Sequence, residues 1–139
     1  MMSKNFWIAV VVGSIVVNVI DFLVQGMLFQ QMFYSKMQGL KMTNPAWFMI
    51  MDVILVVVFV WFYDKVYGSF GGGMNGGMKF GFYYGVVMSF PTMFFPYLMW
   101  ESVMYSYVWA SIIYGIAWGV VLGTVVGRLY TKGEATPAM

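Results

Sequence analysis

Residues 111–127 read Ser111-Ile-Ile-Tyr-Gly115-Ile-Ala-Trp-Gly119-Val-Val-Leu-Gly123-Thr-Val-Val-Gly127, with a glycine or serine at every fourth position. Residues four apart share one face of an α-helix, so this pattern predicts a helix with one nearly bare face. In water each such glycine would cost a helix about 1 kcal/mol relative to alanine. In lipid, small residues let two helix backbones approach closely. The pattern therefore predicts a membrane helix whose packing face is formed by Gly115, Gly119, Gly123 and Gly127.

The composition assigns the whole chain to a membrane. Apolar residues make up 62% and charged residues 9% of its 139 residues, whereas a soluble domain carries roughly 25% charged residues. The net charge of +2 gives no indication of a nucleic-acid partner. We expect a single transmembrane domain over residues 1–139, with the lipid bilayer as its surroundings.

Two residue types that carry much of protein chemistry are missing. The sequence contains no cysteine and no histidine, which removes thiol nucleophiles, thiolate ligands, the commonest metal ligand and the usual general base. The 15 methionines are interpreted as flexible apolar packing rather than as copper ligands. We therefore expect no enzyme activity, no catalytic residues, no metal site and no cofactor.

Four apolar segments are long enough to cross a hydrocarbon core of ~30 Å as helices. They run from about Phe6 to Phe29, Trp47 to Tyr63, Phe80 to Trp100 and Val103 to Leu129. The predicted fold class is all-α: an integral membrane protein whose four transmembrane helices form two consecutive hairpins.

The predicted connections differ in character. Residues 30–46 form a polar loop that ends in Asn44-Pro45, an N-cap and first-turn pair that starts the second helix. Residues 68–77 read Gly-Ser-Phe-Gly-Gly-Gly-Met-Asn-Gly-Gly and are predicted to be a flexible link between the hairpins. A short turn around Glu101 and Ser102 joins the last two spans, and residues 131–139 are expected to fray.

The basic residues predict the orientation. With four spans, both termini and the glycine-rich link lie on one side, which carries Lys4, Lys65, Lys79, Arg128 and Lys132. The other side carries only Lys36 and Lys41. This excess favours both termini in the cytoplasm. Aromatic residues are assigned to the two membrane interfaces: Trp7, Trp61 and Tyr63 inside, and Tyr34, Trp47, Tyr97 and Trp100 outside.

The first span carries a polar stripe of Ser14, Asn18, Asp21 and Gln25, whose spacing places all four on one helical face. Asp21 lies inside the apolar run, where an ionised carboxylate costs roughly 2.5–3.5 kcal/mol or more. Asp52 of the second span is expected at a similar depth in the outer half of the membrane. Two interpretations follow from this placement.

In the functional interpretation, Asp21 and Asp52 form a proton or cation site together with Asn18 and Gln25. Two neighbouring carboxylates repel each other and burial disfavours their charged forms, so a close pair could bind a proton at neutral pH. In the structural interpretation, Asp21 is protonated or hydrogen-bonded to Asn18 and Gln25. Asp52 then reaches the outer headgroups or pairs with Lys36 or Lys41.

The third span repeats the small-residue pattern with Gly77, Gly81, Gly85 and Ser89. Two such rows on consecutive antiparallel helices most simply pack against each other within one chain, and the alternative is that one row faces a second protomer. Pro91 and Pro96 of this span are interpreted as kinks, with Pro96 a candidate for the helix end. Ion binding through the carbonyls that they free is the alternative.

The layout resembles that of small uncharacterised four-helix inner-membrane proteins of bacteria. The resemblance is carried by Asp21-Phe-Leu-Val-Gln-Gly26-Met-Leu-Phe, by Asn44-Pro-Ala-Trp47, by Lys79-Phe-Gly81 and by the spaced glycines of the last helix. It implies the architecture and a location in the bacterial inner membrane, and it carries no site residue with it.

The function expected from the sequence is that of a non-enzymatic structural or assembly subunit held by glycine-mediated helix packing. Its partners would be a second copy of the chain or another membrane protein. The alternative is a small proton- or cation-coupled transporter or channel that uses Asp21 and Asp52.

Overall fold

The computed structural model describes residues 3–39 and 44–130, and the regular secondary structure in these ranges is entirely helical. Four long helices, α1 and α3 to α5, and one short helix, α2, follow one another along the chain. Their bounds are Lys4–Leu23 for α1, Phe29–Met32 for α2, Pro45–Phe70 for α3, Gly73–Met99 for α4 and Tyr105–Leu129 for α5. The all-α prediction is confirmed. Lys41, Lys132 and residues 131–139 lie outside the described residues.

Three helical segments are long and apolar enough to cross a membrane: Lys4–Lys36, Pro45–Phe70 and Tyr105–Leu129. Large apolar side chains remain exposed along them, such as Val11, Ile15 and Phe22 on α1. Such surfaces would be a liability in water and are suited to lipid. The chain is therefore a multi-pass membrane protein. The predicted third span, residues 80–100, corresponds to most of α4, which is not one of these three segments. α4 is long enough, but it contains several glycines, Asn75 and Lys79, which make it less apolar.

The first helical segment extends beyond its predicted end. After α1 the backbone continues through a π-helical turn at Val24–Leu28, through α2 and through a 3₁₀ turn at Tyr34–Lys36. The prediction of a loop from residue 30 is therefore wrong for its first part. Phe29 and Phe33 are buried in this stretch and contact the Tyr107 ring, and this packing keeps a polar sequence helical.

α3 begins as the Asn44-Pro45 pair predicts. The Asn44 side chain accepts a hydrogen bond from the Ala46 backbone N–H at 3.0 Å, and Pro45 occupies the first turn. The helix then continues past its predicted end at Tyr63 to Phe70. Tyr63 is fully buried within the bundle, and its hydroxyl donates to the Gly73 carbonyl oxygen at 3.4 Å. Burial of this ring therefore explains the longer helix.

The prediction of a flexible glycine-rich link at residues 68–77 is wrong. α3 runs through residue 70 and α4 starts at Gly73, so only Gly71 and Gly72 separate the two helices. Their φ angles of 80° and 64° lie in the left-handed region that glycine tolerates. The later glycines are helical because they pack: a Cβ on Gly77 would overlap the Gly123 carbonyl oxygen.

α4 and α5 form the tightest helix pair of the molecule. The row Gly77, Gly81, Gly85 and Ser89 faces the row Ser111, Gly115, Gly119, Gly123 and Gly127 in antiparallel register, and we call these two rows the glycine seam. A Cβ on Gly81 would overlap the Gly119 carbonyl oxygen, and a Cβ on Gly119 would overlap that of Gly81. A Cβ on Gly85 would lie 2.8 Å from the Gly115 carbonyl oxygen. The rows therefore face each other within one chain.

α4 runs through both of its prolines. Pro91 and Pro96 lie inside the helix, which ends at Met99 rather than at Pro96. The Pro96 carbonyl oxygen accepts a hydrogen bond from the Trp100 N–H at 2.9 Å. The turn to α5 then contains Glu101 and Ser102, in the position that the sequence predicts.

α1 crosses α3 and α5 at Gly13, where a Cβ would lie 3.0 Å from Leu122 and 3.1 Å from Val56. The hydrophobic core lies on the side of this crossing where α1 begins and α5 ends. Its fully buried members include Phe59, Tyr63 and Val126. At the same end the Tyr130 hydroxyl donates a hydrogen bond to the Asp64 carboxylate. The opposite half of the bundle contains a cavity rather than a packed core.

Candidate functional site

Asp21 and Asp52, predicted from the sequence as a pair, lie together in this less densely packed half. Asp21 lies near the end of α1 and Asp52 in the third turn from the start of α3, and both side chains line the same cavity. The Tyr114 hydroxyl of α5 donates a hydrogen bond to Asp21 Oδ1. The side chains of Trp118 and Gln25 also lie close enough to interact with the Asp21 carboxyl. Three helices thus converge on one carboxyl group.

The other members of the polar stripe have separate contacts. The Asn18 side-chain amide donates to the Ser14 backbone carbonyl oxygen at 2.8 Å, so the expected hydrogen bond from Asn18 to Asp21 is wrong. Gln25 Oε1 accepts a hydrogen bond from the Tyr34 hydroxyl at 3.0 Å. The stripe therefore contributes Asp21 and Gln25 to the site, whereas Asn18 is bound to its own helix.

The π-helical turn at Val24–Leu28 begins three residues after Asp21. Such turns are rare and occur frequently at functional sites, because they widen the helix and redirect the following side chains. Here the turn contains Gln25 and precedes Phe29, whose ring contacts Tyr107 and Tyr114 at centroid distances of 6.1 and 5.7 Å. The local irregularity thus brings the end of the first segment against α5.

Three tyrosines adjoin the carboxyl pair. Tyr34 and Tyr107 are edge-to-face at a centroid distance of 5.7 Å, and their hydroxyl oxygens are 3.4 Å apart. Because the Tyr34 proton is donated to Gln25, the Tyr107 hydroxyl is left to donate to Tyr34. Tyr34, which the sequence predicts at the outer membrane interface, thus also belongs to this hydrogen-bonded chain. Tyr114 supplies the separate donor to Asp21.

These side chains line a partly open cavity of about 280 Å³ between α1, α3, α4 and α5. Its walls carry Asp21, Asp52, Tyr84, Tyr107, Tyr114 and Trp118. Among the described residues on its wall there is no lysine or arginine. The cavity is thus acidic and aromatic in an otherwise apolar membrane protein.

The floor of the cavity is the end of the glycine seam that contains Ser89 and Ser111. Ser89, Ser111 and Gly115 all line it. Ser111 is only 9% exposed, and its Oγ has no hydrogen-bond partner among the described residues. A buried hydroxyl without a partner is costly and rare in folded proteins. Ser111 is therefore a polar group on the cavity wall with an unused capacity for hydrogen bonding.

Reasoning from the sequence missed Tyr84, Tyr107, Tyr114 and Trp118, because single aromatic residues in a membrane helix are usually interface or packing residues. A signal was present in the spacing of α5. Tyr107, Ser111, Tyr114 and Trp118 are separated by four, three and four residues, as are the members of the stripe on α1. Matching the two stripes would have indicated that both faces meet.

The arrangement favours a single positive charge. The described residues contain no group of three or more histidine, cysteine, aspartate or glutamate side chains that could hold a metal ion. Two carboxyl groups with hydroxyl donors can instead share a proton or neutralise a monovalent cation.

Comparisons with known proteins give no relative from which a role could be transferred. Neither the protein-family models, nor the curated proteins, nor the solved structures contain a match to this chain.

Proposed function

We propose that this chain is a small proton- or cation-coupled transporter of the bacterial inner membrane, with Asp21 and Asp52 as its ion-binding residues. The protein would cross the membrane four times, as two hairpins, with both termini in the cytoplasm. The observation that supports this proposal is the presence of two carboxyl groups, from two apolar helices, on the wall of one cavity.

The energetic argument concerns the charge of the pair. In a medium of low dielectric constant two adjacent carboxylates repel each other strongly, and neither has a basic residue on the cavity wall to balance it. The pair therefore favours the uptake of one positive charge, either a proton or a cation. Intramembrane carboxyl groups commonly mark proton relays and ion pathways.

The architecture supports the same role. The glycine seam holds α4 and α5 together without using either row for a partner, so the seam provides a rigid support for one wall of the cavity. The proposed activity is non-enzymatic, because the cavity wall offers carboxyl and hydroxyl groups but no activated nucleophile with a positioned base.

The test is flux in liposomes that contain the purified protein. We expect a proton or cation gradient to drive flux in the wild type, and Asp21→Asn and Asp52→Asn to abolish it while the helical circular dichroism is retained. Glu101→Gln is the matched control, because Glu101 lies in the exposed turn between α4 and α5, and its flux should equal that of the wild type. Absence of flux from the folded wild type under every gradient would refute the proposal.

A second candidate is the structural or assembly subunit that the sequence favours, and one surface supports it. Residues 45–55 of α3 are exposed on all sides except at Asp52, which is half-buried. A second copy of the chain or another membrane protein could cover this segment. Because the glycine seam is internal, assembly would use a surface other than the seam, and this segment is one such surface.

Disulfide crosslinking in native membranes tests the assembly candidate, since the chain has no cysteine of its own. Met49→Cys on α3 should crosslink if this surface is an interface. Val19→Cys on α1, which is similarly exposed at 54% against 56% for Met49, should not. Equal crosslinking at the two positions would indicate random collision and exclude a specific interface.

A further inference from the structure

We propose that the cavity between α1, α3, α4 and α5 binds a small organic ammonium cation. This inference rests on the proposed function, since it names the class of cation that the Asp21–Asp52 pair would take. Three independent features of the cavity support it: its charge, its aromatic wall and its unpartnered serine.

The charge of the cavity selects cations. Asp21 and Asp52 both line it, and the described residues on its wall include no lysine or arginine. An anionic ligand would be repelled, whereas a neutral ligand would leave the carboxyl pair without a compensating charge. A cation seated beside the pair supplies the missing charge at the point where the protein has placed none.

The aromatic wall selects an organic cation over an inorganic one. Tyr84, Tyr107, Tyr114 and Trp118 line the cavity together with the carboxyl pair. Aromatic rings attract cations through their quadrupoles, and clusters of them recognise alkylated ammonium groups. Five of the 14 lining residues are aromatic. Small hard metal ions gain little from such rings, because they bind through a nearly complete shell of oxygen ligands.

The cavity also has a polar group in reserve and a limited volume. Ser111 is 91% buried on the cavity wall, and its Oγ has no hydrogen-bond partner among the residues that the structure describes. The Oγ is covered by its neighbours, so it could accept a hydrogen bond from an ammonium N–H once the Ser111 side chain rotates toward the cavity. The volume of about 280 Å³ lies just below the range of roughly 300–1,000 Å³ that is typical of ligand pockets, so the cation must be small.

The test compares choline with 3,3-dimethyl-1-butanol, which has the same shape without the charge, by isothermal titration calorimetry on the full chain in detergent. Sodium and potassium are titrated in parallel. We expect saturable binding of choline only. Trp118→Leu should weaken that binding at least about tenfold through loss of the cation–π contact, and Trp118→Phe should restore part of it.

Trp109→Leu is the matched control, because Trp109 lies on the same helix but contacts Phe90, Phe94 and Tyr105 rather than the cavity. Its affinity for choline should equal that of the wild type. Equal binding of the neutral alcohol, or no choline binding by the folded wild type, would overturn the inference. The comparison of choline with the neutral alcohol uses only the wild type. It therefore tests the inference even if the Trp118→Leu protein does not fold.

The liposome experiment separates this inference from the function on which it rests. Proton or sodium flux that depends on Asp21, without choline binding, would support the proposed transporter. It would refute the inference that the cavity binds an organic cation. Choline binding without any flux would support the cation-binding site and refute the proposed transport function. Binding of sodium in preference to choline would assign the site to an inorganic ion and overturn the inference.

Discussion

Tyr114 joins α5 to α1 through one hydroxyl group, which donates to the Asp21 carboxyl. Tyr114→Phe keeps the ring and removes only this donor. We expect the free energy of unfolding in mixed micelles to fall by about 1 kcal/mol, which is in the range measured for side-chain hydrogen bonds between membrane helices. Liposome flux should decrease, because Asp21 loses the contact that orients it.

Tyr83→Phe is the control for this change. Tyr83 is 58% exposed on α4 and its ring packs against Phe70 and Phe82, so removal of its exposed hydroxyl should leave the free energy of unfolding unchanged. If Tyr114→Phe were as stable as Tyr83→Phe, the hydroxyl of Tyr114 would contribute no net stability at the carboxyl pair.

Removal of the Ser111 hydroxyl should affect stability differently from removal of the Tyr114 hydroxyl. Its buried Oγ has no partner among the described residues, so the folded state bears the cost of desolvating a hydroxyl without gaining a hydrogen bond. Ser111→Ala should therefore leave the ligand-free protein as stable as the wild type or raise the free energy of unfolding by up to about 1 kcal/mol. Ser14→Ala, which removes a second such hydroxyl, should behave alike. A marked loss of stability at Ser111 would show that its hydroxyl is already satisfied.

At this scale the sequence predicted the acidic residues and missed their partners. Asp21 and Asp52 are recognisable because a carboxylate in an apolar run is costly wherever it faces. Tyr114 and Trp118 are recognisable only once their helix is placed beside α1, since an aromatic residue in a membrane helix has an ordinary packing role. Asn18 is predicted beside Asp21 because the two residues share a helix face. That shared face does not reveal that the Asn18 amide donates to the Ser14 carbonyl oxygen.

The glycine seam is a property of the pair of helices, and its positions differ sharply in what they tolerate. A Cβ on Gly81 would overlap the backbone of Gly119, so Gly81→Ala forces α4 and α5 apart. We expect the free energy of unfolding to fall by about 1–3 kcal/mol, as overpacking commonly costs. Unfolding in mixed micelles, followed by circular dichroism, measures it.

Gly68→Ala is the matched substitution on α3. A Cβ at Gly68 would meet nothing within 4 Å, and the position is helical. Alanine there should raise the free energy of unfolding by up to about 1 kcal/mol, because alanine favours the helix over glycine. If Gly81→Ala and Gly68→Ala changed the free energy of unfolding in the same direction, the close contact of the two helices at the glycine seam would be contradicted.

The same elements show why residues 68–77 were misread. Local propensity treats a run of glycines as a flexible link, but only Gly71 and Gly72 lie between the two helices. Gly76 and Gly77 are helical because of contacts that lie far along the chain: Gly77 packs against Gly123 and Gly127. The periodic row from Gly77 to Ser89 was predicted, but its first member was also counted as part of the link.

At the scale of the whole molecule, packing is divided unequally between the two halves of the bundle. The half that contains Phe59, Tyr63 and Val126 is a filled core, whereas the half that contains Asp21 and Asp52 surrounds a cavity. The sequence pattern predicts which segments are apolar, but every span has apolar residues along its whole length. Which half is filled and which half contains the cavity therefore depends on the tertiary packing, in which α1 crosses α3 and α5 at Gly13.

We predict that α4 also crosses the membrane, because it is packed along α5. The 27 residues of α4 extend about 40 Å along a helix axis, which exceeds a hydrocarbon core of ~30 Å. The glycine seam holds α4 antiparallel to α5, a helix apolar enough to span the membrane. The turn at Gly71–Gly72 and the turn at Glu101–Ser102 should therefore lie on opposite sides of the membrane.

Cysteine labelling tests this topology directly, because the native chain has no cysteine. Ser69→Cys and Ser102→Cys replace exposed serines near the two turns. A membrane-impermeant maleimide added to spheroplasts should label Ser102→Cys and not Ser69→Cys, and inside-out vesicles should reverse the pattern. Ile113→Cys, at a position that is 66% exposed in the middle of α5, should resist labelling from both sides because lipid covers it. Labelling of Ser69→Cys and Ser102→Cys from the same side would show that α4 does not cross, and the reversed pattern would place the termini outside the cytoplasm.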